Sequence, residues 1–132
     1  MQIFRLVLAL LACGIAPTKL VASPTAMTCT HVDGSGGGNY SASVNRLVID
    51  FDLQQLEFSV AQTIGTSEPI NYLFSNKGSD ALVLNSSADA IVAGGVRFGS
   101  PFSIRVDRKS GIVVWQYIDG EKPEYVRFRC SG

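Results

Sequence analysis

Residues 102–115, Phe102-Ser103-Ile104-Arg105-Val106-Asp107-Arg108-Lys109-Ser110-Gly111-Ile112-Val113-Val114-Trp115, carry the pattern that decides the fold. Phe102, Ile104 and Val106 alternate with Ser103, Arg105 and Asp107. A period of two sends successive side chains to opposite faces of a strand. Arg108 to Gly111 reads as a turn, with Gly111 suited to a left-handed backbone position. Ile112, Val114 and Gln116 then alternate with Val113, Trp115 and Tyr117, so both faces of the second strand read as partly buried. The stretch is a β-hairpin.

The same texture extends in both directions. Upstream, Leu47, Ile49 and Phe51 point one way and Arg46, Val48, Asp50 and Asp52 the other. After a turn at Asp52–Gln55, Leu56, Phe58 and Val60 resume the apolar face. Ile70, Tyr72 and Phe74 alternate with Asn71, Leu73 and Ser75, and Ala81–Leu84 follows a turn at Asn76–Ser79. Ala90–Phe98 is a weaker strand, and its Gly94-Gly95 pair predicts a bulge or bend. The first strand spans Ala26–Val32, and Asp33–Gly38 is a glycine-rich loop. Downstream of the hairpin, Val126, Phe128 and Cys130 face in, with Tyr125, Arg127 and Arg129 out. Short β-rich runs split by Gly, Asn, Asp and Ser clusters predict an all-β fold. The expected form is an antiparallel meander of eight or nine short strands closed into a small barrel. A flattened sandwich is the runner-up.

The first segment is not read as fold. Met1–Arg5 is a short n-region with one positive charge, and Leu6–Ala16 is apolar or small throughout. This is about half the ~20 residues a membrane span needs. Residues 1–22 are therefore expected to be a signal peptide removed after Ala22. Residues 23–132 then form one all-β domain, periplasmic or secreted, with no transmembrane segment. Leu10-Leu11-Ala12-Cys13 offers an alternative, a loose lipobox in which Cys13 is lipidated and the protein is membrane-anchored.

Of the three cysteines, Cys13 leaves with the signal or carries lipid. Cys29 and Cys130 remain, and an exported compartment favours their oxidation. A disulfide between the first and last strands is expected; two free buried thiols are the alternative. Its loop of about 100 residues gives up to about 4.7 kcal/mol in the chain-entropy picture.

The strand-turn-strand texture of residues 47–60 and 102–115, with a cysteine soon after the signal and another near the end, resembles small secreted or periplasmic β-barrel proteins of Gram-negative bacteria. Those proteins have largely unassigned functions. The resemblance implies a fold and a compartment and transfers no active site. In size and strand content the chain is also similar to periplasmic and membrane-bound inhibitors of c-type lysozyme. It lacks the loops those inhibitors insert into the enzyme; Ser110-Gly111 followed by Trp115 only echoes them.

Net charge is zero over the full chain, with acids dominating Pro24–Val96 and bases dominating from Arg97 onward. Nucleic-acid binding calls for net positive charge in a clustered patch and is not expected. His31 is the only histidine, too few for a metal centre of three or four ligands, and neither metal nor cofactor is expected. His31 and Asp33 share one strand face in this reading, as do Asp50 and Asp52, giving two pairs for a minority hydrolase reading. Trp115 and Tyr117 share a face, with Arg105 and Asp107 on the preceding strand. Arg105, Trp115 and Tyr117 are a candidate binding face, either for a small ligand or for a protein in the bacterial envelope, with a purely structural cation–π pairing as the other reading of the same residues. A non-catalytic binding module is the leading expectation, with an inhibitor of a secreted hydrolase such as lysozyme as the alternative.

Overall fold

The structure, a computed structural model, describes residues 24–35, 45–60 and 70–132. The expected signal segment 1–22, the lipidation candidate Cys13 and most of the glycine-rich loop lie outside the described residues. Nine strands follow one another: β1 (Thr25–Gly34), β2 (Asn45–Asp50), β3 (Gln55–Val60), β4 (Ile70–Phe74), β5 (Ala81–Ser86), β6 (Ala90–Arg97), β7 (Ser100–Asp107), β8 (Ile112–Asp119) and β9 (Lys122–Ser131). They form one antiparallel sheet in the order β4-β3-β2-β1-β9-β8-β7-β6-β5, curled into a nearly closed barrel. The described residues contain no helix.

The chain ends meet in the middle of this order. β1 pairs with β9, and Cys29 lies directly opposite Cys130. The two are disulfide-bonded, with Cα atoms 4.0 Å apart and 101 positions apart in sequence. Such a short separation belongs to a non-hydrogen-bonded antiparallel pair. Accordingly, the Cys130 N–H turns to β8 and donates to the Gly111 carbonyl at 2.7 Å. Gly111 has φ +72°, and a Cβ there would meet the Cys130 carbonyl oxygen at 2.5 Å, so glycine is required on both counts.

The open seam lies between β4 and β5, which are consecutive in sequence. Crossing the sheet from β4 to β5 reverses direction at each antiparallel pair and ends with the two strands running the same way. A parallel ladder between them would need a crossover of a dozen or more residues. Only residues 75–80 separate them. They act instead as two halves of one split strand, the first serving β3 and the second β6. Side chains bridge the seam. Asn76 mimics a ladder partner, its Nδ2 donating to the Leu82 carbonyl at 3.0 Å and its Oδ1 accepting from the Leu82 N–H at 2.7 Å. From the end of β6, the Arg97 Nε–H donates to the Leu73 carbonyl of β4 at 3.0 Å.

Two local expectations change. The Gly94-Gly95 pair makes no bulge, since β6 keeps continuous register with β5 and β7. Its role is close approach: a Cβ on Gly95 would fall 1.9 Å from the Ala81 carbonyl oxygen. The bulge is in β1, where the register with β9 shifts between His31 and Asp33.

Inward residues fill the barrel, as expected for about eight staves. Leu47, Ile49 and Leu56 pack with Ile104, Val113 and Val126. Phe58 sits at the centre, its ring 4.8 Å from Phe128 and 5.7 Å from Trp115. Replacing both bridge cysteines, Cys29→Ala with Cys130→Ala, is expected to cost about 2–5 kcal/mol. Urea unfolding of the oxidised, reduced and double-variant proteins measures this. Identical midpoints would mean the strand ladder alone holds the ends together.

Candidate functional site

The turns at 98–99 and 120–121 lie at one end of the barrel, the upper end, by the alternation of strand direction. A cavity of about 390 Å³ opens there. This lies at the low end of the ~300–1,000 Å³ typical of ligand pockets. Its walls are aromatic. Tyr72 and Phe74 come from β4, Phe102 from β7, and Trp115 and Tyr117 from β8. Trp115, only 4% exposed, joins them: its ring lies 5.1 Å from Tyr72, 5.6 Å from Phe74 and 5.2 Å from Tyr117. Phe74 in turn lies 4.5 Å from Phe102. Small residues make room for these rings, because Ala93 and Gly95 occupy the inward positions of β6 opposite Ile104 and Phe102.

The cation of this site is Arg97. In step with Ile91, Ala93 and Gly95, it points to the barrel mouth. Its guanidinium carbon lies 5.3 Å from the Tyr72 ring centre, 5.4 Å from Phe74 and 4.4 Å from Phe98. All three fall within cation–π range. The bond from Nε to Leu73 holds the head in place.

Phe98 forms the rim. Arg97 pairs with Ser100, leaving Phe98-Gly99 as a two-residue turn with φ +50° and +78°. Two positive values mark a type I′ turn, which favours Asn-Gly. A phenylalanine in the left-handed region costs about 1–2 kcal/mol. Here the Phe98 N–H is held by Asp80 Oδ1 at 2.9 Å, and the ring is 78% exposed. An expensive conformation therefore presents an apolar ring to solvent beside an aromatic cavity.

The candidate binding face is divided by the barrel wall. Trp115 and Tyr117 both reach the mouth, but Arg105 does not. The β7–β8 register sets Ile104 opposite Trp115 and Arg105 opposite Val114, so Arg105 is exposed on the outer surface. Asp107 lies at the other end of the barrel, where its Oδ1 accepts from the Lys109 and Ser110 N–H groups.

The hydrolase pairs are also divided. The extra residue of the β1 bulge flips the strand's phase. His31 turns inward against Phe128, centroids 5.9 Å apart, while Asp33 turns outward to pair with Arg127. Asp50 caps the β2–β3 turn by accepting from the Leu53 N–H at 3.0 Å, and Asp52 is exposed within that turn. Among the described residues, no group of three His, Cys, Asp or Glu side chains could hold a metal.

Sequence reasoning missed Arg97, Phe98 and the link from Tyr72 and Phe74 to Trp115. Continuing the inward phase of β6 from Gly95 would have found Arg97. The meeting of β4 and β8 across the barrel interior had no local signal.

Near the mouth, Glu124 is 8% exposed and in phase with Val126. Its carboxylate accepts from Ser35 Oγ at 2.6 Å and lies 3.3 Å from Lys122 Nζ. The Ser35 bond, then Lys122, holds its pKa below the ordinary 4.5 against the opposing effect of burial. The Arg127 hydrogen bond likewise holds Asp33 below 3.8. A folded-state pKa below the unfolded value means that the unfolded chain binds more protons at intermediate pH. This stabilisation is complete above the unfolded values and is lost as pH falls through the folded ones. The urea midpoint should therefore hold steady down to about pH 5 and decline below it, with Glu124→Gln flattening the upper part of the decline.

Phe98→Asn is expected to stabilise the protein. Relief of the about 1–2 kcal/mol backbone cost exceeds the about 0.5–1 kcal/mol of an exposed cation–π contact. A gain of roughly 0.5–1 kcal/mol in urea unfolding is the expected net. A loss would show that the ring itself supports the turn.

No family model and no curated protein matches this chain. Among solved structures, the chain is similar to the fluorescent protein UnaG in its wild-type form, with a TM-score of 0.40 and 15% sequence identity over 78% of this chain and 93% of that one.

Proposed function

We propose that the protein is an exported, non-catalytic binding module that takes a small, ring-bearing or apolar ligand at its aromatic mouth. The observation that carries this reading is the mouth itself: five inward rings around about 390 Å³, with Arg97 above them and a strained, exposed Phe98 on the rim. Ligand sites are mostly apolar with a few placed polar groups. Of the residues considered for hydrolysis, His31 packs on Phe128, Asp33 pairs with Arg127, Asp50 caps its turn and Asp52 lies apart in that turn.

Export is supported by the leader-like residues 1–22 and by the Cys29–Cys130 bridge, since such bridges persist in oxidising compartments. In this reading, by the resemblance to Gram-negative envelope barrels, the compartment is the periplasm or the outside of the cell. Lipidation at Cys13 is the alternative form of the same export. Intact mass of the soluble and membrane fractions distinguishes the two.

Trp115 is the only tryptophan, so its emission reports on the mouth alone. Titration with the neutral fluorophore N-phenyl-naphthylamine is expected to saturate and to quench Trp115. Phe98→Ala and Tyr117→Ala should weaken binding about tenfold, roughly 1.4 kcal/mol, and Arg105→Ala should not. Saturable binding that leaves Trp115 emission and both mouth variants unaffected would remove the site from this reading. The exposed Phe98 tip favours one other reading, an inhibitor inserting that ring into a hydrolase cleft. Inhibition within a panel of lysozymes and proteases, lost in Phe98→Ala, would support it instead.

A further inference from the structure

We propose that the ligand of the mouth carries an anionic group, a carboxylate or sulfonate beside a planar apolar body, and that Arg97 binds it. This rests on the mouth being the binding site and adds the charge of what it takes. Arg97 is half-buried among three rings, where water screens its charge less than at an open surface. Taking a cation out of water costs free energy that a counter-charge normally offsets.

No described residue supplies that counter-charge. The ion pairs among the described residues are Lys122 with Glu124 and Arg127 with Asp33. Asp119 borders the cavity but is exposed and forms no ion pair with Arg97. Glu124 is already held by Ser35 and Lys122.

The guanidinium is also oriented for the task. Its Nε–H is committed to the Leu73 carbonyl, which fixes the plane of the head. Among the described residues, its Nη atoms have no hydrogen-bonded acceptor. A fixed fork with donors to spare is the geometry that takes a carboxylate or sulfonate through paired hydrogen bonds. The half-buried rings of Tyr72 and Tyr117, backed by Phe74 and Trp115, then line the space for the ligand's body. Charge and rings together select a planar amphiphile with its anionic end at the rim.

Two fluorophores with one skeleton test this. Anilinonaphthalene sulfonate carries the anion, and N-phenyl-naphthylamine lacks it. The sulfonate is expected to bind about tenfold more tightly, the scale of one charge-assisted pair. Arg97→Gln should erase that preference, and Arg97→Lys, which keeps the charge without the planar fork, should retain part of it. Arg105→Gln removes the same charge from the outer surface and should leave the preference intact. Thermal unfolding checks that each variant is folded. Equal affinity of the two probes for the unmodified protein, or a preference that survives Arg97→Gln, overturns the anion inference while leaving the mouth as a binding site. Failure of both probes to bind or to change Trp115 emission overturns the mouth reading, and this inference with it.

Discussion

An odd number of strands cannot close on itself by antiparallel pairing alone. Around nine strands, the two edges run in the same direction, and the short link between them forbids a parallel ladder. The rest of the barrel is arranged around that seam. Regular pairing continues from β4 through β1 and β9 to β5, and exposed strand edges are confined to one place. Side chains of Asn76 and Arg97 carry out there what backbone groups do elsewhere. Unpaired strand edges invite pairing with other strands, and this capping covers part of the edge.

The seam and the candidate site are joined through one residue. Arg97 ends β6, ties β4 to it through Leu73, and presents its charge to the rings of the mouth. Its structural bond leaves the rest of the guanidinium oriented rather than mobile. The same turn carries Phe98, whose left-handed backbone is held by Asp80. Binding sites often retain local strain because the surrounding structure fixes it. In this barrel the surroundings are unusually specific: a carboxylate for the N–H and a guanidinium for the ring face.

The disulfide has a different role from the seam. It joins strands that are already paired, one position in from the end of their ladder, with both cysteines buried in the core beside inward apolar residues. Its contribution lies in the unfolded chain, where it closes a loop over most of the domain. The seam decides whether the native sheet closes at all. The upper mouth is open and aromatic, whereas Ile49, Leu56, Val106 and Val113 pack towards the other end of the barrel.

The alternation of 102–115, of 47–60 and of 124–130 determined on its own that the protein is all-β, which residues face inward, and that Cys130 is on the buried face. Period-two burial is a local property, readable wherever the register is unbroken. The cysteine count and the leader-like segment led to the Cys29–Cys130 pairing. Where the register breaks, local reading fails. The β1 bulge sends His31 and Asp33 to opposite faces, and pairing parity separates Arg105 from Trp115 although eleven residues span both. The mouth was decided only by closure. Tyr72, Phe74, Arg97 and Trp115 come from three strands that share no common ladder, and they meet because curvature brings non-neighbouring strands across the interior to one another.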